Sequence, residues 1–400
     1  MNIKIIIMKL KNLLLLILVF GASQISFSQL KQADTVSTYK SIIPVERQSL
    51  LSNVDLIANM QFGHSSDWDD GSWQGSKFNM NQFRMEIRGW VTEKLHFRFR
   101  HRYTSSFEPQ SVDNIIKGVD YAALTFKVNE KWSITAGKMA TDWGGIEFDL
   151  NPIDIYTYSD IIEQADNYLA GVGATYQATK DHSFGLQLLN PRTQTAEEIY
   201  GEDVIIGGDI ETAKAPWAGV FNWRGSFFDG KLNTLWHYSV FNEGDDDFQN
   251  YMAFGQQLNL NKWSIAYDYK LSLEDVDRTG IIRNLISTND QTYVLRNTRY
   301  ESHWLSVQHR IHPQWQLSLT AFVDFSSVKN EMGDYKKVRN AYSYIPAIEY
   351  YPFKDYNVKL FVNYVGRVFR YTDFAEDTFN LSNGDTGRLS FGIITPLNFL

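Results

Sequence analysis

The chain has 400 residues and a formal net charge of −8, and this acidity argues against nucleic-acid binding, which requires a basic face. It contains no cysteine, which excludes both a disulfide framework and a thiolate metal site. Beyond the first 28 residues no apolar stretch is long enough for a transmembrane helix, whereas 11 Trp and 22 Tyr are compatible with a β-barrel in an outer membrane.

The first 28 residues have the composition of a secretory signal. Three lysines precede an apolar run from Leu13 to Phe20, and the small residues Ser26 and Ser28 follow it. This run is too short to span a bilayer, so we expect cleavage after Ser28 rather than a helical membrane anchor. Cleavage would make the net charge three units more negative. Residues 29–50 are then predicted to form a polar periplasmic segment.

From residue 51 to residue 400 the chain repeats about ten residues of period-two alternation followed by a turn, which is the pattern of half-buried β-strands. Clear examples are Leu56, Ala58, Met60 and Phe62; Trp263, Ile265, Tyr267 and Tyr269; and Leu389, Phe391 and Ile393. A soluble β-sandwich or a propeller would show the same alternation. We favour a membrane barrel for two reasons. Charged residues are concentrated on the polar face rather than scattered over it, and the apolar face has aromatic residues near the strand ends.

Long and short connections alternate along these strands. Seven short turns lie at 91–95, 128–132, 178–182, 228–231, 260–263, 311–314 and 352–355, and eight long connections at 64–77, 105–118, 141–166, 191–213, 242–249, 275–297, 327–339 and 371–387. Short periplasmic turns and long external loops are typical of outer-membrane barrels. The sequence therefore predicts an all-β, antiparallel up-and-down transmembrane β-barrel of about 16 strands over residues 51–400.

Basic residues line one face of the predicted second and third strands. We call this set the arginine stripe: Arg84, Arg88, His96, Arg98, Arg100 and Arg102. An arginine facing lipid at the bilayer midplane would cost about 2–4 kcal/mol, so the stripe is expected to face the lumen. Lys94 adds to it and Glu86 interrupts it, while Lys127, Lys138, Arg224, Lys270, Lys359 and Arg367 could extend it on other strands. The stripe would either select anions or hold acidic loops in place.

The third long connection, residues 141–166, is acidic and contains no Lys or Arg. Its acids are Asp142, Glu147, Asp149, Asp154, Asp160, Glu163 and Asp166. Because it is also rich in Ile, Tyr and Phe, we expect it to fold into the barrel and narrow the pore, with its acids facing the stripe across the constriction. Opposed rows of fixed charge would then orient and select solutes. The alternative is an external loop with solvated acids.

The passage "SITAGKMATDWGGIEF", residues 133–148, resembles the G-(K/Q)-x-x-(T/x)-x-x-G-x-E stretch of the phosphate-selective porin O and P family. The resemblance implies a trimeric, sixteen-stranded anion channel with an arginine ladder and lysines near the constriction. Lys138 matches the family's basic position before the loop. The arginine stripe matches the family's arginine ladder in residue type and in the strand face on which it lies. The acidity of residues 141–166 departs from the family pattern and weakens phosphate specificity.

These patterns predict an outer-membrane porin, a passive channel for small hydrophilic solutes with an anion preference. Its expected partners are outer-membrane lipid and lipopolysaccharide, small hydrophilic or anionic solutes and two further copies in a homotrimer. We expect no cofactor, no metal site and no catalytic residue. An enzyme on a barrel is the less favoured reading, since neither G-x-S-x-G nor H-E-x-x-H occurs.

A third function class is a non-conducting accessory barrel for export of polysaccharide or protein. Trp68 and Trp73 in a predicted external loop could stack on sugars. Acid clusters at residues 67–70 and 245–247 could hold Ca²⁺, but they lack the ligand spacing of an EF-hand, so we expect solvated acids there.

Overall fold

A computed structural model describes residues 53–399. The predicted signal, residues 1–28, and the predicted periplasmic segment, residues 29–50, lie outside the described residues.

The described chain is dominated by long antiparallel strands. In chain order they are β1 (Val54–Asp69), β2 (Ser72–Trp90), β3 (Leu95–Arg102), β4 (Val119–Lys127), β5 (Trp132–Ala140), β6 (Tyr168–Gln177), β7 (His182–Leu189), β8 (Val204–Ile206), β9 (Ala218–Phe227), β10 (Leu232–Asn242), β11 (Phe248–Asn259), β12 (Trp263–Val276), β13 (Tyr293–His312), β14 (Trp315–Lys329), β15 (Tyr335–Tyr350), β16 (Lys359–Tyr371) and β17 (Gly384–Asn398).

Successive strands pair with one another, β7 pairs with β9, and β1 pairs with β17, so 16 strands form a closed barrel. The short β8 lies outside this circuit and pairs in parallel with the start of β13. Closure leaves no free sheet edge, which a membrane requires because lipid cannot satisfy exposed backbone groups. The predicted sixteen-stranded barrel is confirmed.

The alternation along each strand decides which face meets lipid. On β7, Leu186 and Leu188 are exposed while Gln187 between them is buried, and on β16 Leu360 and Val362 are exposed while Asn363 is buried. An apolar exterior around a polar interior is the reverse of a soluble protein and is the arrangement of a barrel in lipid.

The seven short connections at one end occur where the sequence predicts them, but three of the eight predicted long connections are short. The predicted loop 64–77 is wrong: β1 and β2 continue past it and are joined by Asp70 and Gly71 alone, with φ of 45° and 76°. Both residues take the left-handed conformation that a tight hairpin turn requires. Likewise, the predicted loops 242–249 and 327–339 reduce to residues 243–247 and 330–334.

The helices are short and belong to the connections. They are α1 (Gly145–Asp149), α2 (Asp160–Gln164), α3 (Ala196–Tyr200), α4 (Ile281–Ile286) and α5 (Asp373–Phe379), and a 3₁₀ turn spans Pro152–Asp154. Within residues 53–399, no helix has the length and apolar character needed to cross a bilayer.

The connection between β5 and β6, residues 141–167, folds into the barrel. Its apolar side chains Ile146, Ile153 and Ile161 are buried, and Ile153 packs with Phe361 of β16 and Ile394 of β17. The loop therefore crosses the lumen to strands distant from its own. We call it the constriction loop.

Candidate pore and its constriction loop

The arginine stripe forms two facing rows on β2 and β3. In the strand register Arg84 lies opposite Arg102, Glu86 opposite Arg100, and Arg88 opposite Arg98. On β2 the neighbours of these residues include the exposed Ile87, so alternation turns the charged side chains away from the apolar exterior. His96 lies opposite Trp90 at the other end of β3, with ring centroids 5.0 Å apart.

Two carboxylates inside the stripe hold its guanidiniums together. Glu86 lies 2.9 Å from Arg98, 3.8 Å from Arg88 and 3.9 Å from Arg100. Arg88 also binds Asp55 of β1 at 3.1 Å. These contacts relieve part of the repulsion between like charges that would otherwise oppose such a row.

The second carboxylate, Asp120 of β4, was not identified from the sequence. It is 1% exposed and lies 3.2 Å from Arg84, 3.1 Å from Arg100 and 3.8 Å from Arg102. The register shifts at this point: Arg100 pairs with Tyr121 and His101 with Val119, which leaves Asp120 as the extra residue of a β-bulge. A bulge re-aims a side chain that strict alternation would place on the other face.

The adjacent Tyr121 also contacts the stripe. The guanidinium carbon of Arg98 lies 3.8 Å from the centre of the Tyr121 ring, and that of Arg100 lies 4.8 Å from it. Cation–π contacts of this kind fix the arginines without neutralising them.

The constriction loop is anchored on the opposite inner surface, which we call the far wall and define as the inner face of β9 to β16. Asp268 of β12 accepts hydrogen bonds from the backbone N–H groups of Ile146 and Glu147, at 2.9 and 2.8 Å. Glu147 in turn pairs with Lys270, and both side chains are fully buried. The backbone N–H of Ser159 donates a hydrogen bond to the Glu147 carboxylate at 2.7 Å. This bond joins α1, which contains Glu147, to the residue that precedes α2.

Most of the other loop acids also bind the far wall. Asp160 pairs with Arg339 and, at 2.7 Å, with Arg367; Asp154 lies 2.8 Å from Lys359; and Asp142 and Asp149 lie 3.1 and 3.0 Å from Arg224. Within residues 53–399, no ion pair joins a constriction-loop acid to the arginine stripe. The geometry thus differs from the expected face-to-face arrangement, because basic side chains on four far-wall strands, β9, β12, β15 and β16, lie within reach of the loop.

Lys138 does not join the stripe. On β5 its side chain lies on the same face of the strand as the exposed Ile134. Its ammonium group lies 2.8 Å from Asp113 and 2.6 Å from Gln110, both in the connection between β3 and β4. Its role is therefore to hold that connection against β5. The sequence match that suggested a pore-lining lysine identified the position but could not give the side chain's partner.

Between the stripe and the constriction loop lies a cavity of about 630 Å³. Basic residues from three strands line it, namely Lys77, Arg84, Arg102 and Arg388, and Tyr158 and Glu163 line it from the loop. Glu163 is thus the loop acid that faces this cavity together with stripe residues. Lys77 and Arg388 were missed: Lys77 falls in the predicted loop 64–77, and Arg388 lies on the polar phase of the last predicted strand.

In the described part of the chain, no three His, Asp or Glu side chains come together in a way that could hold a metal ion.

Comparison with known proteins supports this architecture. The profile of the family "Phosphate-selective porin O and P" matches residues 56–393. No curated protein sequence matches the chain.

Solved structures with the same fold are outer-membrane proteins. The outer membrane channel DcaP of Acinetobacter baumannii superposes with a TM-score of 0.57 at 11% identity, covering 86% of this chain and 98% of DcaP. Salmonella typhi OmpF, in complex with daunomycin, has a TM-score of 0.54 at 16% identity and coverages of 86% and 97%. In-vitro folded OmpT of Vibrio cholerae, in a trimer form, has a TM-score of 0.51 at 10% identity and coverages of 85% and 98%.

Identities this low establish the fold alone, but the family profile spans nearly the whole barrel. The chain therefore belongs to the phosphate-selective porin O and P family and is a β-barrel protein of the outer membrane.

Proposed function

We propose that this protein is a passive diffusion channel for small hydrophilic solutes, with an anion preference set by the arginine stripe. The observation that carries the proposal is the uneven neutralisation of charge inside the barrel. Five stripe guanidiniums share three carboxylates, those of Asp55, Glu86 and Asp120, whereas the acids of the constriction loop are mostly paired with the far wall.

An unneutralised surplus of guanidinium charge beside an aqueous cavity raises the local concentration of anions and repels cations. Arg84, Arg102 and Arg388 all line the cavity. No chemical step is needed for this function, because pore width and lining charge decide which solutes pass. Membership of a porin family and the porin-like fold support a channel rather than an enzyme.

The proposed assembly is a homotrimer surrounded by outer-membrane lipid and lipopolysaccharide. The exposed apolar side chains on the barrel exterior provide a surface for lipid, and OmpT, which shares the fold, is known in a trimer form.

The test is the reversal potential of the purified full-length mature protein in a planar bilayer under a KCl gradient. We expect chloride preference in the wild type and a marked loss of that preference in the double variant Arg84→Ala/Arg102→Ala. Arg370→Ala is the matched control, since Arg370 pairs with Asp385 on the exposed surface and does not line the cavity. A cation preference would overturn the proposal, and an absence of conductance would indicate a non-conducting accessory barrel.

A further inference from the structure

The cavity between the stripe and the constriction loop has two chemically different sides. Arg84 and Arg102 come from the barrel wall, whereas the loop contributes the apolar or aromatic Phe148, Ile155 and Tyr158 beside one carboxyl group, that of Glu163. A chloride or an inorganic phosphate ion has no apolar surface to bury against that second side. The pairing of guanidiniums with aromatic and aliphatic groups suits a solute that has both kinds of surface.

The size of the cavity points the same way. At about 630 Å³ it is within the range of about 300–1,000 Å³ that is usual for sites that bind small organic molecules. A single small inorganic anion would occupy only a minor part of it.

The basic side retains unused hydrogen-bond donors. Arg84 is 4% exposed and lies at the cavity wall, and its Nε is 3.2 Å from Asp120. Its Nη1 has no hydrogen-bond partner among residues 53–399, whereas its Nε is already ion-paired with Asp120. A buried guanidinium with unused N–H groups is costly unless an acceptor is supplied, and a carboxylate fits its planar geometry.

The aromatic side also has a free member. The Phe148 ring packs against Tyr168 with centroids 6.4 Å apart, and the Tyr156 ring packs against Phe361 at 5.2 Å. Tyr158 lines the cavity without such a ring contact among residues 53–399. Its ring can therefore pack against a planar solute whose charge is held by Arg84.

We propose that the cavity is a binding site for small aromatic carboxylates, bound with the carboxylate at Arg84 and Arg102 and the ring against Tyr158. This inference rests on the proposed anion channel and names its substrate class. The site would make the pore saturable for such solutes, because a bound molecule occupies the space through which smaller ions pass.

The test measures block of chloride current through the full-length mature protein in a planar bilayer, with four probes: benzoate, acetate, inorganic phosphate and the neutral benzamide. We expect half-block by benzoate at a concentration about tenfold lower than for acetate, since one aromatic contact changes affinity by up to about that factor. Block by phosphate, which lacks the ring, and by benzamide, which lacks the charge, should also be weaker than block by benzoate.

Three variants locate the effect. Tyr158→Leu should bring benzoate block to the level of acetate, Tyr158→Phe should retain it, and Tyr364→Leu, which alters an aromatic pair outside this cavity, should leave it unchanged. Equal block by benzoate and acetate in the wild type, or undiminished benzoate block in Tyr158→Leu, would overturn the inference. Equal block by benzoate and benzamide would overturn it too, because the guanidiniums would then play no part.

The two proposals fail in different ways. A cation preference in the KCl gradient contradicts the anion channel, whereas a chloride-preferring pore that does not distinguish benzoate from acetate contradicts only the aromatic site.

Discussion

The two inner walls of the barrel both carry basic residues, yet they use them differently. On the far wall Lys270, Lys359 and Arg367 are paired with acids of the constriction loop. On the stripe, guanidiniums outnumber the carboxylates that hold them, and those carboxylates come from the wall itself. The charge of an arginine row alone therefore does not identify a selectivity filter. The arginines and lysines of the far wall bind the loop, whereas those of the stripe are only partly neutralised, which is why we propose the stripe as the filter.

The largest loss of stability is expected at the buried ion pair of the far wall. Lys270→Met should destabilise the barrel by about 3–5 kcal/mol, because it leaves the fully buried Glu147 without a counter-charge. Thermal unfolding followed by circular dichroism measures this. Lys180→Met is the control, since Lys180 is 86% exposed and faces Asp181 at the surface. Equal melting temperatures of the two variants would contradict an anchoring role for the pair.

A second change acts on the backbone of the constriction loop. Gly145 has φ of 74°, and a Cβ there would lie 2.8 Å from the Asp268 carboxyl group. Gly145→Ala should cost about 1–2 kcal/mol for the left-handed conformation and also displace α1 from its anchor. We expect a lower melting temperature and altered single-channel conductance.

Gly208→Ala is the matched control for this change. Gly208 has φ of 114° but its nearest neighbour would be 4.0 Å away, so it has backbone strain without a clash. If both variants conduct like the wild type, the contact between Gly145 and Asp268 does not set the loop's position.

A third change removes a carboxylate from the stripe. Asp120→Asn removes the carboxylate shared by Arg84, Arg100 and Arg102, so the chloride preference should rise several-fold while stability falls. Reversal potentials in a KCl gradient measure the first effect. Asp149→Asn, which removes a partner of Arg224 on the far wall, should change the preference much less; an equal effect would mean that the two walls are equivalent.

The smallest expected effect is a pH dependence. Desolvation inside the lumen raises the pKa of the Glu163 carboxyl above its ordinary value, and the neighbouring Glu147 carboxylate raises it further. Below its pKa the group is neutral, so the cavity loses a negative charge and the chloride preference should increase as the pH falls from neutral to mildly acidic. The increase should be reversed on return to neutral pH.

Glu163→Gln separates this effect from protonation of His96 in the stripe. The variant should show the higher chloride preference at every pH, with at most a weak residual dependence. A pH dependence as large as that of the wild type would assign the effect to another group.

The barrel was predictable from the amino-acid pattern alone. Period-two alternation with an apolar phase and a polar phase specifies strands, their number and the face that meets lipid, because each strand obeys the same local rule. The inward folding of residues 141–167 was also predictable, since apolar side chains such as Ile153 and Ile161 require a covered position.

Loop lengths were less predictable. Residues 64–77 read as a loop because polar residues such as Ser65 and Asp67 interrupt the apolar pattern, yet backbone pairing continues through them to the turn at Asp70 and Gly71. Hydrogen bonding between strands does not depend on side-chain polarity, so composition alone cannot show where pairing ends.

Which charged side chains pair with one another could not be predicted without the folded structure. Ion pairing depends on distances of a few ångström between residues far apart in the chain, as for Asp160 with Arg367 or Asp120 with Arg84. A one-residue bulge brought Asp120 to the stripe, and strand phase separated Lys138 from it. A shift of register by one residue moves a side chain to the opposite face of its strand without any change in amino-acid composition. Composition therefore cannot predict which of these side chains meet.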